Sequence, residues 1–338
     1  MNGRLRVGAC LSLSGRFARF GRQAARGLDA WRRLDGRADL VVEDDRSDVR
    51  TLETVLPGVA ARCDLLLGPY STRLMRAAGQ MAAERGWLVW NQGGSGDDVE
   101  EAHPGHVVSV LTPAGRYAEP FLRRLAAEPG GPHHLCIVSG PGSFGRQVAD
   151  GAEALARALG IRTARAAPGD QVPPPGLPAD WNLFSAGAFE QDAAVAAGAL
   201  RSPVPPRRLC AVAAGVREFS RAVEDPGGVF GVAQWFPGAA GDVALGPPEE
   251  DFLRAYSGAA GAWPDYPAAQ AAAGAVIAAR CARAGGTSRA ALWAAAAGLD
   301  TSTLFGGFRI DPVRGTQLAH QTVLVRWTTA GELRRDGG

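Results

Sequence analysis

Apolar and polar positions along this chain follow two periods that take turns. RLRVGACL at 4–11 is a compact apolar run and reads as a strand. FGRQAARGLDAWRRL, which follows, places Ala24, Leu28, Trp31 and Leu34 on one face of a helix. ADLVVED is the next strand, and VRTLETVLPGVAARC the next helix, with Pro57 predicted to break it. DLLLG, WLVW and HVVSVL are further strands, and STRLMRAAGQMAAERG is the helix between the first two of them. Strands that alternate with helices imply a parallel sheet covered by helices on both faces.

The pattern then restarts. Tyr117 to Ala127 reads as a helix, HHLCIVSG as a strand, SFGRQVADGAEALARALG as a helix and IRTARAA as a weaker strand. After a Pro-rich loop at 169–180 come NLFSAGA, a helix from Phe189, LCAVAAG, a helix from Val216, and GVFGVAQW. Helices are expected at 249–260, 266–284 and 288–298, then strands GGFRI and TVLVRW and a short polar tail. Two consecutive α/β units predict two Rossmann-like lobes with parallel sheets. In such sheets ligands bind outside the carboxyl ends of the strands. The loops at 13–21, 68–72, 91–97, 140–145 and 186–192 are therefore where function is expected.

Composition narrows this picture. The 338 residues suggest about two domains, and an apolar fraction of 46% supplies real cores. A net charge of +2 lacks the concentrated positive field of a nucleic-acid binder. Every basic residue is arginine, so a lysine Schiff base and a phosphate-loop lysine are excluded. Cys10, Cys63, Cys136, Cys210 and Cys281 form no CxxC pair and are expected as free thiols. The five histidines have no zinc-ligand spacing, and neither a metal nor a cofactor is expected. No apolar run reaches the roughly 18 residues that span a bilayer. The first residues, MNGRLRVGACLSLSG, lack the apolar region and cleavage site of a leader, which predicts a cytoplasmic product for the sequence as it stands.

Several loops carry candidate chemistry. In GPYST (68–72), Ser71 or Thr72 can cap the following helix. The same helix start can also receive an anion. NQGGSG (91–96) adds flexible backbone and the Ser95 hydroxyl on the neighbouring strand end. Together the two loops look like a carboxylate clamp. GPGSFG (140–145) matches GxGxxG, but Pro141 removes a donor and the next strand ends without an acidic ribose partner. EDDRSD (43–48) reads as a cation or acid–base cluster, or as a solvated loop that caps the next helix. No GxSxG or HExxH occurs, which leaves a hydrolase unsupported. Phe20, Tyr70, Tyr117, Phe144, Phe189, Trp235 and Tyr266 fall on or beside these loops and could wall an apolar pocket.

In order, LSLSGRFARFGRQAARGLDAW, EDDRSD, LLLGPYST, LVWNQGGSGDD, VVSVLTPAGRYA, GVFGVAQWFP, WPDYPAAQAAAGAVI and TLFGGFRIDPVRGTQLAHQTVLVRW resemble the type I periplasmic binding proteins of the branched-chain amino-acid class. The resemblance spans nearly the whole chain. It implies a non-enzymatic Venus-flytrap receptor with a three-stranded hinge. Such a receptor holds a small amino acid or related carboxylate between its lobes and serves an ABC importer through a permease partner. The implied lobes are 1–115 plus 241–315 and 116–240 plus 316–338. Ser71, Gly94 and Ser95 map onto the family's carboxylate-binding positions. Phe20, Ser143, Phe144, Phe189 and Tyr266 map onto its pocket positions, with Phe20 lacking the phenolic oxygen often found there, and Tyr70 and Tyr117 are expected to help enclose the ligand.

Two departures from the family stand out. The family's acidic ammonium anchor falls near Ala214, with Gly215 next, and Glu190, Asp192 or Glu218 would have to replace it. An unpartnered buried ammonium is costly, so a carboxylate without an amine fits as well as an amino acid. The family is also extracytoplasmic, yet no leader is visible and Cys10 lies inside the first strand, where it cannot be a lipid anchor. A cytoplasmic ligand sensor of the same fold is the alternative, and a nucleotide-dependent enzyme using 140–145 a third reading.

Overall fold

The computed structural model describes residues 4–131 and 133–337. It opens with β1 (Leu5–Leu11), α1 (Ala18–Asp35), β2 (Ala38–Asp44), α2 (Val49–Ala60), β3 (Leu65–Leu67), α3 (Thr72–Arg85), β4 (Val89–Asn91), α4 (Asp98–Glu101) and β5 (Val107–Ser109). A 3-10 turn at Ala114–Arg116 leads into α5 (Glu119–Ala126), β6 (His134–Ser139), α6 (Ser143–Ala158), β7 (Arg162–Ala166) and β8 (Asn182–Ala186). Then come α7 (Phe189–Leu200), β9 (Leu209–Ala211), a 3-10 turn at Val212–Gly215, α8 (Phe219–Ala222) and β10 (Phe230–Ala233). The last elements are α9 (Glu249–Ala260), α10 (Tyr266–Gly285), α11 (Arg289–Ala297), β11 (Thr301–Thr303), β12 (Gly306–Phe308), β13 (Val323–Trp327) and β14 (Leu333–Arg335).

The chain forms two compact units, Met1–Thr112 with Pro237–Gln321, and Pro113–Phe236 with Thr322–Gly338. The first holds a parallel sheet in the order β2-β1-β3-β4-β5, with Val7 of β1 opposite Leu40 on one side and Leu65 on the other. On one face, Cys10, Leu52, Leu56, Leu66, Met75 and Val89 form a core under α2 and α3. On the other lie α1 and α10. These two helices pack so closely that a Cβ on Gly27 would stand 2.2 Å from the Ala268 carbonyl oxygen. Helix α10 is buried on nearly every side from Pro267 to Ala279, which explains its all-round run of small apolar residues.

The second unit holds seven strands in the order β14-β13-β10-β9-β8-β6-β7. Strands β6 to β10 pair in parallel, and β13 and β14 add antiparallel. Alternate residues of β6 enter two cores, Leu135 and Ile137 with Phe121 and Phe184, and Cys136 and Val138 with Trp181 and Phe219.

Helix α1 buries Ala24, Leu28 and Trp31 as its spacing predicts, but Leu34 in its last turn is 40% exposed. Pro57 does not break α2, which runs to Ala60. The helix expected from Val216 is only the short α8, which starts at Phe219 after the 3-10 turn. The end of the chain, expected to be a polar tail, pairs as β14 with β13. The five cysteines are free thiols, all buried but the half-buried Cys63. No helix among the described residues is long and apolar enough to cross a membrane.

Candidate functional site

Two groups of predicted residues meet at the strand ends of the first unit. Phe20 sits in the first turn of α1, Tyr70 in the loop between β3 and α3, and Tyr266 opens α10. The Phe20 and Tyr70 rings stack at 4.5 Å between centroids, 11° from parallel. Tyr266 lies 6.5 Å from Phe20 and brings its hydroxyl to 2.6 Å from that of Tyr70. Phe17, which the sequence did not single out, adds a ring 6.1 Å from Tyr70. The guanidinium of Arg19 stands over the Phe20 ring at 5.8 Å. All four rings are only partly buried.

Ser71 follows Tyr70 directly. Its backbone is held at φ 98°, ψ 145°, a region that side chains disfavour. Its N–H donates to the Gly93 carbonyl at 2.8 Å. Its hydroxyl oxygen caps α3 by accepting from Leu74 N–H at 3.3 Å. The first turn of α3 carries no acidic residue, so its positive dipole end is not neutralised from within.

The glycine loop after β4 packs against this turn. A Cβ on Gly93 would fall 2.6 Å from the Pro69 carbonyl oxygen, so only glycine permits the approach. Asn91 organises the loop from below. Its Oδ1 accepts from Gly94 N–H at 2.8 Å and Gly93 N–H at 3.2 Å, and its Nδ2 donates to the Gly94 carbonyl at 2.6 Å. The Gly94 amide is therefore engaged inside the protein. What the loop presents is the geometry of Ser95, itself 9% exposed. Gly96 N–H donates to Thr72 Oγ1 at 3.0 Å and ties the loop to α3.

Beneath Asn91 sits Glu100 of α4, 3% exposed. Its Oε1 accepts from Asn91 Nδ2 at 3.0 Å and from the Ser109 hydroxyl, while its buried Oε2 has no hydrogen-bond partner. Burial pushes the Glu100 carboxyl up to about 8; its hydrogen bonds oppose the shift, and the charges of Asp97 and Glu101 add to it. Sequence reading missed Asn91 and Glu100. An asparagine two residues before a Gly-Gly pair is the signal that could have found the first.

In the second unit, Tyr117 and Phe144 meet edge to face at 5.4 Å, and the Tyr117 hydroxyl accepts from Gln234 Nε2 at 2.8 Å. Ser143 opens α6 beside Phe144. Phe189 opens α7 and packs on the opposite face of the sheet, with the Trp181 core, so it does not join the Tyr117–Phe144 pair.

Ala214 and Gly215 lie buried in the 3-10 turn after β9, with the Ala214 carbonyl accepting from Trp327 Nε1 at 3.0 Å. Asp192 is fully buried and already engaged. Its Oδ1 accepts from the Ser185 hydroxyl at 2.7 Å and its Oδ2 from Ala213 N–H at 3.0 Å, which ties α7 to β8 and this turn. Burial raises its carboxyl to about 6 against those hydrogen bonds. Among the possible replacements for an ammonium anchor, Asp192 thus has a structural post.

The acidic cluster near β2 is architectural in the same way. Asp44 accepts from Leu13, Ser14 and Arg46 N–H and from the Ser14 hydroxyl. Asp45 accepts from the Ser12 hydroxyl and Ser47 N–H, and Asp48 caps α2 through Thr51 N–H. No group of three metal-binding side chains occurs among the described residues.

Comparison with known proteins follows the same lines. A sequence family described as periplasmic binding protein matches residues 4–199. No curated protein matches the chain. Among solved structures, the leucine binding protein LivK from Thermotoga maritima is similar with a TM-score of 0.82 at 15% identity, over 98% of each chain. An ABC transporter substrate-binding protein from Desulfitobacterium hafniense, in complex with Leu, gives 0.81 at 16%, over 98% of this chain and 100% of that one. A solute binding protein of an ABC transporter from R. palustris, in complex with benzoate, gives 0.76 at 18%, over 99% of this chain and 96% of that one. At these identities the likeness carries the fold, the two-lobed type I architecture with parallel sheets.

Proposed function

Because the chain belongs to the periplasmic binding protein family, we propose that it is the substrate-binding receptor of an ABC importer for a small carboxylate that lacks an amine. In this role the protein binds its ligand and performs no chemistry on it, and a membrane permease is its partner outside the cytoplasm. The observation that carries the reading is the junction of Tyr70 and Ser71. One residue stacks on Phe20 and bonds Tyr266, and the next supplies a hydroxyl at an uncompensated helix start. A ligand laid there would have its ring or branched body against the aromatic group and its carboxylate toward Ser71 and Ser95.

Two positions support a ligand without an amine. The anchor position holds Ala214, and Asp192 is spent on Ser185 and Ala213. The benzoate complex shows that a protein of this fold can hold an acid without an ammonium group, and the leucine complex represents the competing class. Hydrogen bonds to a charged group contribute about 1.5–3 kcal/mol each. With apolar burial, two or three of them are consistent with micromolar binding, about −8 kcal/mol.

The test is calorimetric titration with benzoate, hydroxybenzoates, branched aliphatic acids, leucine and isoleucine. The reading expects heat with acids that lack the amine and at least a tenfold weaker affinity in the Ser71→Ala, Ser95→Ala double variant. Binding of leucine alone, or unchanged affinity in the double variant, would defeat it.

A further inference from the structure

The loop proposed to receive the carboxylate does not hold its own shape. Gly93 and Gly94 take theirs from Asn91, through three hydrogen bonds of 2.6–3.2 Å. Asn91 in turn rests on Glu100 Oε1 and on Ser109, all three buried. Glu100 Oε2 is buried and makes no hydrogen bond, so an ionised carboxylate would hold part of its charge on a desolvated, unbonded oxygen, which favours the protonated acid.

The charges recorded against Glu100 among the described residues add to the penalty. Asp97 and Glu101 on the same segment are both acidic. Arg76 of α3 is paired with Asp98 of α4 at 2.7 Å, and Arg314 is paired with Glu101 at 2.7 Å. Strands β4 and β5 carry no charged residue. Loss of the Glu100 proton would thus place a negative charge directly behind a loop meant for an anion.

We infer that Glu100 is a proton-bearing positioning residue: in its neutral form it holds Asn91 and the glycine loop ready for a carboxylate, and on ionising it weakens that grip. The inference rests on the proposed carboxylate site for its consequence in binding, but its structural half stands independently. A receptor built this way takes up its ligand best in neutral or acidic surroundings and releases it as the medium becomes alkaline.

The test follows both halves across pH 6–9.5 in the whole protein. Amide chemical shifts of Gly93 and Gly94 are followed by NMR, and benzoate affinity by calorimetry; benzoate stays ionised throughout. In the wild type the two amides should move with a midpoint between about 7 and 9, and benzoate affinity should fall at least about fivefold over that interval, equivalent to roughly 1 kcal/mol. Glu100→Gln, which keeps the neutral shape, should leave the amides flat and change affinity less than about twofold across the range. Wild-type amides that do not titrate, or a Glu100→Gln variant that keeps the wild-type pH dependence, would overturn the inference. Amides that titrate in a protein that ignores benzoate would uphold the positioning role and count against the carboxylate reading.

Discussion

The hydroxyls of Tyr70 and Tyr266 stand 2.6 Å apart, joining a loop that follows β3 to the first residue of α10 across 196 positions of sequence. The bond fixes two of the three rings to which the ligand's body is assigned, with Phe20 stacked on Tyr70 as the third. Tyr266→Phe keeps the ring and removes the bond. A hydrogen bond of this kind contributes about 0.5–1.5 kcal/mol. The expected result is a two- to tenfold rise in Kd for the best acid, measured by calorimetry, with little change in melting temperature.

Ser71 combines a cap with a strained backbone, and the two can be separated. Ser71→Gly relieves the positive φ, and glycine at an N-cap costs only a few tenths of a kcal/mol. Its stability should match or exceed the wild type. Ser71→Ala keeps the strain and loses the cap, so it should be about 1 kcal/mol less stable in urea unfolding. Both variants lose the hydroxyl, and both should bind the ligand more weakly. A glycine variant with full affinity would remove Ser71 from the site.

Asp192 makes a prediction that separates structure from recognition. Its carboxyl titrates near 6 in the folded protein, above the ordinary carboxylate value, because burial disfavours the charge. A raised value means that its contribution to stability is complete below about pH 4 and is lost as pH rises to about 6. Melting temperature should therefore fall over that interval, and less so in Asp192→Asn. The same variant, measured at pH 7, should bind its acid within about twofold of wild type once folded. A hundredfold loss would instead mark Asp192 as the anchor of an ammonium group.

The GxGxxG segment at 140–145 leads directly into α6, with Gly142 at its N-cap and the Pro141 carbonyl accepting from Arg146. A receptor reading expects no heat on titration with NAD or NADP at millimolar concentration. Saturable binding of either would reopen the enzyme reading.

The sequence made the architecture readable because its elements are strongly periodic. Trp31 and Leu28 on α1 declare their buried face, and the unbroken small-residue run of α10 declares a helix enclosed on all sides. Leu34 fits the same period yet lies exposed, because it falls in the last turn of α1 and periodicity does not say how far the covering layer reaches. Tyr70 and Ser71 were legible because a strand end, a proline and a hydroxyl sit together. Asn91 and Glu100 were not, since their meaning depends on a contact made only once α4 folds back under β4. For Asp192 the sequence offers a carboxylate but not its direction. Only the fold shows it turned inward, onto Ser185.

The approach of Gly27 to the Ala268 carbonyl has a consequence far from where it occurs. Phe20 lies two turns before Gly27 on α1, and Tyr266 opens α10 two residues before Ala268. The spacing of Phe20 and Tyr266 is thus gauged by two backbones in contact and not by the rings themselves. A single methyl group added at position 27 would act as a shim, resetting the spacing of Phe20 and Tyr266, and with it the fit of the ligand proposed there, without altering any of the aromatic residues themselves.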